Sequence, residues 1–288
     1  MGILKGYSKE EKSWMMYDWA NSAHSVIVVT ILPIFFNTIA TERGMSLWGF
    51  ATSAAMLIVA LLAPILGAFG DFKGCRKKLF FVFMLLGAAS CAFLALTPLM
   101  DLSTPEHMET VAMLILVLYV VSTIGFAGAN LYYDSFLNDV TTPERMDKVS
   151  TMGYGLGYIG GSTIPLLLFL LLVGAFGVDM MPAMSFAFGL TAVWWFVFSL
   201  PLLKNVEQKS YQEKDPHPVR SSLKKLAGTA REIYAHKNMF VYLIAYFFYI
   251  DGVNTVIHMS TSYGDTLGLD ATKMLLALLL VQVLGLPF

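Results

Sequence analysis

Eight stretches of the chain are almost wholly apolar, at about 20–40, 49–69, 79–98, 111–133, 151–173, 184–203, 239–263 and 272–288, and the charged residues gather between them. A helix of roughly 20 residues, rising 1.5 Å per residue, matches the ~30 Å hydrocarbon core of a bilayer. Ten-residue stretches of strict apolar–polar alternation are absent, so a barrel is excluded and helices must satisfy the backbone in lipid. The pattern predicts an all-α, multi-pass membrane protein. Composition agrees: 57% of the residues are hydrophobic and 14% charged, against about a quarter charged in soluble domains.

Charge fixes the orientation. With the N-terminus inside, the N-terminal tail and the loops after spans two, four and six hold 3, 4, 2 and 8 of the 19 Lys and Arg residues, leaving Arg43 and Lys273 for the other side. That asymmetry is a positive-inside signal, and the net charge of −1 therefore carries no information about partners. Nothing in the pattern calls for nucleic acid. The polar start, Met1 to Lys12, has no apolar core followed by a cleavage site, so span one is read as its own insertion signal. Cys75 in a loop and Cys91 in a span do not suggest a disulfide.

The arrangement divides the chain into six closely spaced spans (1–203), a polar connector (204–238) and two further spans (239–288). Within the connector, Ser221 to Lys237 reads either as a basic amphipathic helix on the anionic inner leaflet or as a solvated linker. Residues 56–67 (MLIVALLAPILG) align without gaps on 274–285 (MLLALLLVQVLG), pairing span two with span eight, as a duplication of six-span halves requires.

The short connection Gly67-Ala-Phe-Gly-Asp71-Phe-Lys-Gly74-Cys-Arg76-Lys-Lys78 resembles the loop between spans two and three of the major facilitator superfamily, with Phe72 and Cys75 at positions that are usually basic. The resemblance implies a major facilitator fold: an N-terminal six-helix bundle plus the first two helices of a truncated second bundle, four spans short of the full architecture. In that loop Gly67 and Gly74 would permit tight backbone approach. Asp71 would cap or pair with the facing half, and Arg76 would help hold the loop inside. Three further passages are similar to the family of the autophagy-related vacuolar amino-acid effluxers and their bacterial relatives. They are Tyr17-Asp18-Trp-Ala-Asn21-Ser22, the segment from Tyr132-Tyr-Asp134-Ser-Phe-Leu-Asn-Asp139 to Gly161, and Asp251-Gly-Val-Asn254-Thr. This resemblance implies an amino-acid-type solute carrier, expected in a bacterial plasma membrane or, alternatively, a vacuolar one.

Polar residues within spans are costly unless they face protein or water, so they are the candidates for function. Asp18, Asn21 and Ser22 share a helical face, and His24 follows. Asp18 reads either as a helix cap or as a gating residue; Asn21 and His24 read as lining the solute path. Asp251, about twelve residues into span seven, would cost ~2.5–3.5 kcal/mol at the midplane, and Asn254 continues its face. Asn21, His24, Asp251 and Asn254 are therefore the candidate solute and proton sites. At the inner end of span four, Asp134 is expected to pair with Arg76 or Arg145 in a gate. Gly155-x-Gly157-x-x-Gly160 matches a dinucleotide fingerprint as a string but lacks the strand and βαβ context. Gly153, Gly157 and Gly161 instead recur every fourth residue, as in close helix–helix packing.

No phosphate-binding loop, HExxH, CxxC or histidine pair at metal-ligand spacing occurs in the sequence, so no cofactor, metal or ATP-driven step is expected. An enzyme would need a nucleophile–base or metal cluster, which the sequence does not display. The expected function is secondary active transport of a small solute by alternating access. A non-transporting receptor or an inactive truncated fragment is the alternative.

Overall fold

The computed structural model describes residues 4–40, 43–212 and 217–284. Their regular structure is helical: α1 (Lys9–Ile39), α2 (Gly44–Gly70), α3 (Cys75–Leu94), α4 (Pro105–Val140), α5 (Met146–Leu156), α6 (Thr163–Gly174), α7 (Met180–Asn205), α8 (Pro218–Ala235), α9 (Lys237–Thr266) and α10 (Ala271–Leu284). Seven helical segments are long and apolar enough to cross a membrane, the fifth being α5 and α6 joined through a π-helical stretch, Gly157–Ser162. At the position of the expected eighth span lies α10, an apolar helix with 14 described residues, shorter than those seven; positions 285–288, and with them the end of the internal repeat, lie outside the described residues.

Several helices run well past their apolar stretches. α1 starts eleven residues before position 20 because Ser8 and Glu11 form a capping box: the Glu11 amide donates to Ser8 Oγ at 3.0 Å and the Ser8 amide to Glu11 Oε2 at 2.8 Å. Both donors would otherwise be left unpaired at the helix end. α4 is opened by Thr104 and Pro105, whose missing N–H costs nothing there, and continues to Val140. Between α2 and α3 the chain reverses at Gly74, whose φ of 72° favours glycine. The connector contains α8, so its helical reading is the one observed, with Leu223, Leu226 and Tyr234 exposed on it.

Burial is uneven in a way that identifies the centre. α1 is the most enclosed of the spans, whereas α2 and α9 leave most of their surface uncovered. Phe50, Leu57 and Leu61 on α2 are more than 60% exposed, as lipid-facing side chains can be without cost. One apolar cluster, with Ile31, Phe35, Phe36, Trp48, Ile115, Phe169 and Phe188, fills the half of the bundle reached by the end of α1. A second, with Trp14, Tyr17, Phe80, Tyr133, Phe136 and Trp195, fills the half where α1 begins.

Apolar contact between helices gains little in lipid, so close packing must come from shape. At the α3–α4 crossing a Cβ on Gly125 would lie 2.5 Å from the Gly87 backbone nitrogen, and one on Gly87 would strike the Trp195 ring. Backbone cannot move aside as a flexible side chain can. Gly125→Ala is therefore expected to destabilise the protein by about 1–3 kcal/mol, seen as a lower thermal midpoint in detergent. Gly155→Ala, whose Cβ would meet nothing within 4 Å, serves as the neutral control.

Candidate functional site

The polar side chains gather in three centres. The first joins α1 to α4. Tyr133 Oη donates to Asp18 Oδ2 at 2.7 Å, Asn21 Nδ2 donates to Asn130 Oδ1 at 2.8 Å, and His24 Nε2 meets Ser122 Oγ at 2.5 Å. Trp14 Nε1 donates to the Tyr133 carbonyl at 2.9 Å and its ring stacks on Tyr133. His24 stacks on Phe126 at 4.7 Å. The rungs ascend α1 while descending α4, as antiparallel neighbours require. α5 approaches the same face of α1: a Cβ on Gly153 would sit 2.5 Å from Asp18 Oδ2, one on Gly157 2.6 Å from Ser22 Oγ, and one on Gly161 2.5 Å from the Trp19 carbonyl. The glycines thus make room for a carboxylate and a hydroxyl as well as for backbone.

The second centre is a clasp at the inner ends of the helices. Arg76, 5% exposed, donates to Asp139 Oδ2 at 2.6 Å and to the carbonyls of Ser135 and Ser210 at 3.2 and 3.3 Å. The Ser210 amide donates to Asp139 Oδ1 at 2.8 Å. Gln208 bridges the turn before α3, accepting from the Gly74 amide at 3.0 Å and donating to the Gly70 carbonyl at 3.1 Å, and the Gln212 amide donates to the Asp71 carbonyl at 2.8 Å. The start of the connector is thereby tied to the loop between α2 and α3. Nearby, Arg145 grips Glu11 with Nε and Nη2, each at 2.9 Å.

The third centre is a cavity of about 730 Å³ between α2 and α9. Asp251, Asn254, Thr255 and His258 line it from α9, and Ser46, Thr52 and Ser53 from α2. α9 is held there by polar contacts that include Thr261 Oγ1 to the Val29 carbonyl, Asn37 Nδ2 to the carbonyl and hydroxyl of Ser262, each at 3.2 Å, and Trp48 Nε1 to the His258 carbonyl at 3.4 Å. A smaller cavity of about 260 Å³ between α2 and α4 is lined by Asn130 and Asp134.

The comparisons with known proteins bear on this architecture directly. The family model described as "Vacuole effluxer Atg22 like" matches residues 45–142 and 138–286. The chain belongs to this Atg22-like family. An uncharacterized MFS-type transporter of Bacillus subtilis, YxiO, is 43% identical over 298 residues, covering 99% of this chain and 67% of YxiO. The autophagy-related protein 22 of two Cryptococcus neoformans strains is 26% identical over 163 residues, 54% of this chain and under a third of the fungal proteins. No solved structure matches it. The protein is an integral, multi-pass membrane protein related to major facilitator transporters.

For this Atg22-like chain the structure regroups the residues singled out by sequence. Asp251 and Asn254 share the large cavity, but Asn21 and His24 do not line it: both are buried, 6% and 3% exposed, with their partners on α4. Asp18 is no cap, since α1 begins nine residues earlier. The expected pairing of Asp134 with Arg76 or Arg145 is corrected as well, because Arg76 holds Asp139 and Arg145 holds Glu11. Asp139 is five residues past Asp134, about 140° further round the helix, which turns it inward while Asp134 faces the small cavity. Asp71 approaches Arg76 only at 3.7 Å and is half exposed. Close approach in the loop occurs at Gly70, where a Cβ would meet the Tyr132 ring at 2.5 Å, and not at Gly67 or Gly74, where it would meet nothing within 4 Å. Glu11 and Asp139 were the residues sequence reading passed over. The Ser8-x-x-Glu11 spacing was the signal for the first.

The clasp can be tested through its buried charge. Arg76→Ala leaves Asp139 without its counter-charge and is expected to cost about 3–5 kcal/mol, whereas removing both partners should recover much of that loss. Thermal unfolding in detergent of the two single variants and Arg76→Ala/Asp139→Ala reads the difference. A double variant as unstable as Arg76→Ala would show that the charge pair is not the source.

Proposed function

We propose that the protein is a secondary active transporter that exports a small solute of the amino-acid class by alternating access, coupled to a proton and seated in a bacterial plasma membrane. The observation that carries this reading is the α2–α9 cavity, which gathers a carboxylate, an amide, an imidazole and four hydroxyls in spans where every such group carries an insertion cost. Its chemistry suits a zwitterion. Asp251 offers a counter-charge for an ammonium group, Asn254 and the Ser53 hydroxyl offer donors for a carboxylate, and His258 offers an imidazole for proton exchange. The printed descriptions of the relatives, a vacuole effluxer family and an MFS-type transporter, support the same class. Because the chain spans two thirds of YxiO and less than a third of the fungal proteins, the activity of those proteins comes to it only as part of this proposal.

In this scheme Asp71, Arg76, Asp134 and Arg145 act at the inner gate rather than on the solute. The clasp fastens one end of the bundle while the cavity is open elsewhere, and the α1–α4 rungs keep the bundle rigid as it rocks.

Counterflow in proteoliposomes tests the reading: protein loaded with an unlabelled amino acid should accumulate its labelled form from outside. Asp251→Asn keeps the shape and removes the charge, and is expected to lower exchange by about 30-fold or more, the equivalent of at least ~2 kcal/mol for a truncated charge pair. Full activity in this variant would remove Asp251 from the mechanism. No exchange of any amino acid by the unmodified protein would favour the receptor reading.

A further inference from the structure

Apart from the solute cavity, the molecule carries a second built concavity. It lies at the inner end of the bundle, between the first turns of α3, the last turn of α7 and the start of the connector, with a volume of about 500 Å³. Lys73, Lys77 and Lys78 supply its charge, and Phe81 and Leu203 supply an apolar wall. Among the described residues no carboxylate lies within ion-pair distance of these three lysines. Glu207 also borders the pocket, so the local balance is three positive charges to one negative. Lys73 is propped over the Tyr211 ring, 5.2 Å from its centre, and is thereby held on the rim. Phe81, 38% exposed, continues the wall one turn deeper along α3, toward the hydrocarbon.

We propose that this pocket binds the phosphodiester head group of an anionic phospholipid of the inner leaflet. Positive charge above and apolar wall below is the order in which a lipid presents its phosphate and its acyl chains, and the positive-inside orientation places the pocket on the leaflet side where anionic head groups attract lysine. A soluble phosphate would use the lysines but leave Phe81 and Leu203 without a partner. The pocket also depends on the clasp. Gln208, which forms part of its wall, is the side chain that bridges the Gly70 carbonyl and the Gly74 amide. A bound head group therefore favours the docked connector, and an undocked connector dismantles the site.

Native mass spectrometry of the detergent-purified protein tests this by competition between phosphatidylglycerol and phosphatidylcholine. The unmodified protein is expected to retain phosphatidylglycerol preferentially. Lys73→Gln/Lys77→Gln/Lys78→Gln should weaken that retention by about tenfold or more, while Lys73→Arg/Lys77→Arg/Lys78→Arg keeps it. A thermal midpoint of the glutamine variant in phosphatidylcholine equal to that of the unmodified protein separates loss of binding from loss of fold. Equal retention of the two lipids by the unmodified protein would overturn the proposal without recourse to any variant, as would undiminished phosphatidylglycerol binding by a folded glutamine variant. Stabilisation by glycerol phosphate equal to that by phosphatidylglycerol would overturn the lipid assignment in favour of a soluble anion.

Discussion

A polar side chain placed in hydrocarbon has no water to turn to, so its partner must come from another helix, and that requirement organises this bundle. α1 carries Asp18, Asn21, Ser22 and His24 within two turns, and it is the most enclosed of the spans. The two facts have one cause. Tyr133, Asn130 and Ser122 on α4 pair with these side chains, and Gly153, Gly157 and Gly161 of the fifth span allow close approach at the same face. Substituting a larger residue at Gly153 would displace the Asp18 carboxylate as well as the helix. Polar satisfaction and close packing are therefore a single constraint at this contact.

The same rule operates differently at the inner end, where charges replace neutral groups. A buried arginine–aspartate pair is favourable only if its remaining donors and acceptors are also occupied. Here they are occupied from outside the helices: the Ser210 amide and carbonyl complete the shells of Asp139 and Arg76. The connector is thus part of the charge pair's environment, and an undocked connector would leave Arg76 and Asp139 incompletely paired. Helix ends that extend beyond their apolar stretches make this arrangement available, since α4 reaches Val140 and α1 begins at Lys9.

Spans and loops were legible in the sequence because hydrocarbon thickness acts on local composition. The glycine spacing on span five was legible for the same reason, being a matter of helical period. Partner choice was not. Asp134 and Asp139 look equivalent as a string, and only the continuation of α4 as a helix separates them by a third of a turn or more. Asp18 looked like a cap because the apolar run starts near it, although the Ser8–Glu11 spacing marks the true start. His24 looked like a pore residue because it is polar within a span. That inference cannot distinguish a cavity from a neighbouring helix, and here Phe126 and Ser122 occupy its surroundings.

For the proposed transport cycle, the strengths of these contacts locate the plane of movement. Between α1 and α4 the rungs are 2.5 to 2.8 Å long and all three are buried or partly buried. Between α9 and its neighbours the polar contacts are 3.2 to 3.4 Å long, near the outer limit for a hydrogen bond. Each is worth less than a rung of the ladder, and three of them use backbone carbonyls that a small slide could exchange for others. A helix carrying the solute-facing Asp251 on weak, replaceable contacts can shift against α1 at low cost, whereas separating α1 from α4 would strand Asp18 and His24 in an apolar interior. The rocking interface in this scheme therefore runs between α1 and α9, and α1 moves with the bundle that its polar side chains bind.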